Sequence, residues 1–182
     1  LQAQEVKIEN DKNVQFLPEK LSESFPKLMR LIARNLSLED VPEDAFENSI
    51  NLAVIDLSQN KLKSLNPNLF NDLSSLEELN LSGNDIKKLP ANIFNSQLVS
   101  LRRINLNDNK ITKIDAKLFE NLPNLEKVTL NGNGIDDFSL VGNPKYEIDS
   151  EDYLSSSKEI TEEPEDTLKS KINIHNPVTE AT

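Results

Sequence analysis

The sequence predicts an α/β fold: a right-handed, horseshoe-shaped solenoid of short parallel strands with a mostly 3₁₀ or irregular convex side, followed by a disordered acidic tail. Three observations carry this prediction. Apolar residues recur in register about every 24 residues, asparagine recurs at one fixed place in each copy, and the composition changes abruptly near Pro144.

The repeats LAVIDLSQNKLKSL, LEELNLSGNDIKKL, LRRINLNDNKITKI and LEKVTLNGNGIDDF begin at Leu52, Leu76, Leu101 and Leu125, spaced by 24, 25 and 24 residues. Each reads approximately L-x-x-L-x-L-x-x-N-x-L-x-x-L, and the complete copies add Phe70, Phe94 and Phe119 at the nineteenth position. One period earlier, Leu28, Leu31, Leu38, Val41 and Phe46 keep the register, while Ala33 and Leu36 depart from it. Val14, Leu17, Leu21 and Phe25 then make a half repeat, and the Val6-x-Ile8 alternation predicts a short capping strand. The resulting organisation is an N-terminal cap and half repeat over 1–27, about five repeats over 28–138, and an acidic tail over 139–182. Leu1 is not a natural start, so a processed or excised chain is expected.

Stacking explains why the pattern must repeat. The apolar side chains at the first, fourth and sixth positions find partners only in the units above and below. Alternation along each strand turns the third and fifth positions to the opposite, concave face. Strands are therefore predicted near 30–32, 54–56, 78–80, 103–105 and 127–129. The candidate partner contacts are Arg30, Ile32, Val54, Asp56, Glu78, Asn80, Arg103, Asn105, Lys127 and Thr129. Met29 and Ala53 extend an apolar patch with Ile32 and Val54, whereas Arg102, Arg103 and Lys127 make the other end basic.

Asn60, Asn84, Asn109 and Asn133 fall at the ninth position, where a carboxamide can serve the turn backbones of its own and adjacent repeats. Leaving those groups unpaired would cost roughly 1 to 3 kcal/mol each. Phe46, Phe70, Phe94 and Phe119 are expected to stack as a spine beneath the convex side. The extra residue before Leu101 lies in NSQLVS, on a convex loop where insertion costs little.

Charge and composition remove whole classes of function. The chain carries 31 acidic and 20 basic side chains, a net charge of −11, and no basic cluster in linear sequence, which makes nucleic acid and anionic membranes poor partners. With no Cys and a single His175, thiolate sites and two-histidine metal centres are excluded. Asp136 and Asp137 are neighbours in sequence rather than residues facing across a cleft, and no glycine-rich phosphate loop is present. The expectation is no enzyme, no catalytic residue, no cofactor and no metal. No apolar run approaches the ~20 residues of a transmembrane helix.

From Ser139 onward, ten acidic and four basic side chains, the run Ser155-Ser156-Ser157 and few apolar residues predict disorder. Tyr146 and Tyr153 sit among carboxylates, a setting that favours tyrosine sulfation in a secreted protein, although an unmodified tail is the simpler expectation.

Over about residues 14–138 the copies resemble the typical 24-residue class of leucine-rich repeat proteins. In that class the F-x-x-L-x-x-L form is characteristic of extracellular proteins, so the resemblance implies secretion, with a cytoplasmic setting as the alternative. The opening VQFLPEKLSESFPKLMRL is similar to the entry of insect extracellular leucine-rich repeat proteins, some of which act in immunity. Gly142-Asn143-Pro144 resembles the start of the family's Cys-rich C-terminal cap, but the cysteines do not follow. Secretion would make the sequons at Asn35 and Asn80 glycan acceptors. The function expected is a non-enzymatic module that binds a protein or other macromolecular partner through the concave face. The alternative is an assembly domain that oligomerises through an open sheet edge near 125–130.

Overall fold

The computed structural model describes residues 3–95, 97–135 and 146–147. Strands β1 (Glu5–Glu9), β2 (Arg30–Arg34), β3 (Val54–Asp56), β4 (Glu78–Asn80), β5 (Arg103–Asn105), β6 (Lys127–Thr129) and β7 (Tyr146–Glu147) form one sheet in sequence order. Every neighbouring pair is parallel. A four-residue helix, α1 (Leu21–Ser24), lies between β1 and β2, and Ala116–Phe119 is a 3₁₀ turn. Turns make up the rest of the convex side, as its Asn- and Pro-rich sequence leads one to expect.

The register puts Leu31, Ile55, Leu79, Ile104 and Val128 side by side, and all five are buried. Just past the strands, backbone bonds continue from one repeat to the next through Leu57, Leu81 and Leu106, whose N–H groups donate to Asn80, Asn105 and Thr129. Two residues further on, Asn10, Asn35, Gln59, Gly83, Asp108 and Gly132 all adopt positive φ, between 53° and 69°. The five N–H groups from Asn10 to Asp108 donate to the carbonyl of the preceding residue type in the next repeat, as Gln59 does to Ser82 and Asp108 to Asn131. Glycine at 132 matters because its φ of 69° is one that other residues rarely adopt, and a Cβ there would sit 3.2 Å from the Asp108 backbone.

The asparagine ladder is realised in full. The Asn84 amide donates to the Leu57 and Leu81 carbonyls, 3.0 and 2.9 Å away, while its Oδ1 accepts from the Leu62 N–H at 3.1 Å. Asn60, Asn109 and Asn133 repeat this pattern and are equally buried. On the convex side the rings of Phe46, Phe70, Phe94 and Phe119 stack with centroid separations of 6.2, 6.4 and 5.6 Å. Each repeat thus buries its own leucines only by covering those of its neighbours.

One expectation changes. The edge of β6 is not open, because β7 pairs with it at Val128↔Tyr146 and Thr129↔Glu147. Pairing of this kind uses backbone groups and needs no leucine signature, which is why the change of composition at Pro144 hid it. The expected tail disorder otherwise lies outside the described residues, as do Asp136, Asp137, Tyr153 and His175. The capping strand expected at Val6 and Ile8 is β1, which pairs parallel with β2 over five residues.

Candidate interaction surface

Backbone pairing aligns the sheet face into columns that run across the repeats. At the second position the column is Gln4, Met29, Ala53, Glu77, Arg102 and Glu126, each N–H after the first bonding the carbonyl before it. At the third it is Glu5, Arg30, Val54, Glu78, Arg103 and Lys127. At the fifth it is Lys7, Ile32, Asp56, Asn80, Asn105 and Thr129. All the contact residues expected from the sequence therefore lie on this one face, apart from Met29, which lies towards its rim.

Most of the charges on this face are paired with one another. Arg30 meets Glu5 at 3.0 Å, Arg34 pairs with Glu9, Arg102 meets Glu126 at 2.6 Å, and Arg103 pairs with Glu78 and reaches Glu126 at 3.6 Å. The hydrogen bond to Glu78 and the charges of Glu126 and Glu77 raise the Arg103 pKa further above its ordinary value. Hydrogen bonding from Lys7, with Arg34 adding to it, lowers the Glu9 pKa despite opposing desolvation. The C-terminal end expected to be basic is thus largely compensated by carboxylates from adjacent strands.

The fifth-position polar groups also serve the fold. Asp56, Asn80 and Asn105 each accept a hydrogen bond from the backbone N–H two residues on, and Asn80 accepts the Ser82 hydroxyl as well. Thr129 donates its hydroxyl to Asn105. Their side-chain oxygens are engaged in holding turns, so these residues are more than a display of polar contacts.

The charge ladder breaks at β3. Val54 separates the Glu5–Arg30 pair from the Glu78–Arg103 pair, and it and Ile32 are apolar residues of a cleft that charged side chains, among them Arg30, Asp56 and Glu78, otherwise line. Met29, 44% exposed, and Ala53 line a second cleft at the rim beside Lys27 and Glu77. The apolar patch expected from the sequence is therefore divided between the face and the rim.

A basic surface missed in the linear sequence lies on the flank that follows the asparagine ladder. The backbone bonds Lys61→Leu38, Asp85→Leu62 and Lys110→Ile86 stack the tenth positions, and the twelfth and thirteenth positions add Lys63, Lys87, Lys88 and Lys113. All six lysines are exposed. Lys110 meets Asp85 at 2.5 Å, and this hydrogen bond, joined by the charges of Lys63 and Lys87, pulls the Asp85 pKa below its ordinary value. No other described carboxylate lies within ion-pair distance of these lysines. The signal was present as a 24- or 25-residue spacing of lysines, masked because acidic residues intervene along the chain.

Among the described residues no cluster of three potential metal ligands occurs, and no helix is long and apolar enough to cross a membrane. No curated protein sequence matches the chain. A family model for the leucine-rich repeat matches residues 26–86 and 84–135. With more than half of the chain under that model and its repeats built on the same asparagine-pinned turn, the chain belongs to the leucine-rich repeat family, whose domains generally mediate protein–protein interaction.

Proposed function

We propose that this chain binds a protein partner across the N-terminal half of its concave face, anchored in the notch between Ile32 and Val54. The observation that carries this reading is the interruption of the ion-pair ladder at Val54. Paired charges keep their hydration and each other, so covering them yields little, whereas burying apolar surface contributes about 25 cal/mol per Å². Met29 and Ala53 extend the contact over the rim.

That extension is needed on grounds of area. Seven strands spaced by about 4.8 Å, most of them three residues long, present a sheet of roughly 29 by 10 Å, or about 290 Å². A standard interface buries about 800 Å² on each partner. The rim must therefore contribute alongside the sheet. The repeat form supports an extracellular setting, and the likeness of the N-terminal segment to insect extracellular repeat proteins supports recognition in innate immunity as its context.

The two sequons are placed differently. Asn35 sits at a turn of positive φ, whereas Asn80 is half-buried on the sheet face, where a glycan would stand over the binding surface. The proposed function requires Asn80 to stay bare, which mass spectrometry of the secreted protein checks directly.

In a capture assay on the full chain, Ile32→Glu is expected to weaken partner retention by about tenfold or more, equivalent to ~1.4 kcal/mol, by placing a charge in the notch. Lys117→Glu, on the 3₁₀ turn of the convex side, should leave retention unchanged. Retention that survives Ile32→Glu and fails with Lys117→Glu would place the site on the convex surface.

A further inference from the structure

The lysine flank stands apart from the concave face, and nothing in the reading above uses it. Lys61, Lys63, Lys87, Lys88, Lys110 and Lys113 cover three successive repeats, with Asp85 the one described carboxylate in ion-pair contact with them. The remaining described carboxylates nearby border the stripe: Asp108 and Asp115 at the eighth and fifteenth positions, and Glu39 and Asp40, which end it at the twelfth and thirteenth positions of the repeat before Lys63. A stripe of like charges is self-repelling, and an extended anionic segment laid along it would relieve that repulsion. The depressed Asp85 pKa is a local sign of the same positive field.

The chain carries such a segment. Residues 149–166 hold eight acidic side chains against the single Lys158, and they begin two residues after β7 ends at Glu147. Reach is ample. The seventh row of the sheet, β7, lies four repeats beyond the row of Lys61, and ring separations of 5.6–6.4 Å set each repeat at about 6 Å, so the distance along the solenoid is about 24 Å. Eighteen extended residues span up to about 60 Å. Direct attachment also holds the segment at an effective concentration of order mM, so individually weak contacts are enough to populate the docked state. The net charge of −11 disfavours a long external polyanion, whose approach the rest of the molecule repels, but an attached segment has no approach to make.

We propose that the lysine flank is a docking surface for an acidic polypeptide, and that its occupant is this chain's own segment 149–166. The contact is electrostatic, lies on the side of the repeats away from the Ile32–Val54 notch, and leaves that notch open.

The absence of cysteine makes the test direct, since Ser157→Cys in the full chain takes a single nitroxide label. Amide signals are then compared between the oxidised and reduced label. In about 0.01 M salt, where the screening length is ~30 Å, the amides of Lys63, Lys87, Lys88 and Lys110 should lose most of their intensity, while those of Ile32 and Val54 keep theirs. In about 1 M salt, with a screening length of ~3 Å, the loss should disappear. The combined variant Lys63→Glu, Lys87→Glu, Lys88→Glu should abolish it at low salt, and the salt comparison on the unaltered lysines decides the matter if that variant fails to fold. Broadening that is centred on the strands, that is insensitive to salt, or that fades on dilution and so arises between molecules would overturn the proposal.

Discussion

The concave face and the lysine flank are built from the same repeat, yet they handle charge in opposite ways. On the face, neighbouring rows bring opposite signs together: Glu5 with Arg30, Glu78 with Arg103, Arg102 with Glu126. On the flank, the corresponding rows bring Lys63 beside Lys87 and Lys88 beside Lys113. Stacking at a fixed period turns each repeat position into a column, so the choice of residue at positions 24 or 25 apart decides whether a column neutralises itself or accumulates charge. The face is left with an apolar gap as its adhesive feature, and the flank with a field.

The largest expected effects come from residues that support both surfaces at once. Phe94→Ala should cost about 3 to 5 kcal/mol in urea unfolding, because its ring is buried between those of Phe70 and Phe119 and the neighbouring repeats cannot close the gap. Asn84→Ala should cost about 1 to 3 kcal/mol, since it leaves the buried Leu62 N–H beneath the flank without its acceptor and takes one of two amide donors from the Leu57 and Leu81 carbonyls, which keep Asn60 and Asn109. If either variant melts with the parent, the two surfaces do not share a common support.

Smaller effects separate the surfaces. Glu78→Gln should destabilise only slightly, and less in high salt, because the pair with Arg103 is half exposed. The acid limb of the stability curve reports on the flank. Asp85 has a lowered pKa in the folded state, chiefly through its hydrogen bond to Lys110, so its contribution is complete above the unfolded value of about 3.9 and is lost as pH falls through the lower folded value. Asp85→Asn should therefore lower stability at neutral pH and converge with the parent as pH falls well below about 4, which flattens the acid limb. An unaltered acid limb would show that the flank exerts no field on Asp85.

Much of this architecture is legible in the sequence. The three-residue strands at 54–56, 78–80, 103–105 and 127–129 follow from leucine spacing, and Asn60 or Phe70 could be assigned from position alone because burial dictates their type. The positive-φ column was harder to see, since Asn, Gln, Gly and Asp share no chemistry beyond tolerating or enduring that conformation. β7 was invisible because a two-residue backbone pairing leaves no side-chain pattern. The ion pairs and the lysine flank were missed for one reason: both are relations between residues one repeat apart, which linear charge counting mixes with whatever lies between them.

The contrast between the two surfaces is tested most directly by paired double-mutant cycles, measured by urea unfolding at low salt. One cycle removes charge from Glu78 and Arg103, as Gln, singly and together; the other does the same for Lys63 and Lys87. The account predicts a small favourable coupling on the face, an unfavourable coupling on the flank, and the shrinkage of both in high salt. Couplings of the same sign on both surfaces would contradict it.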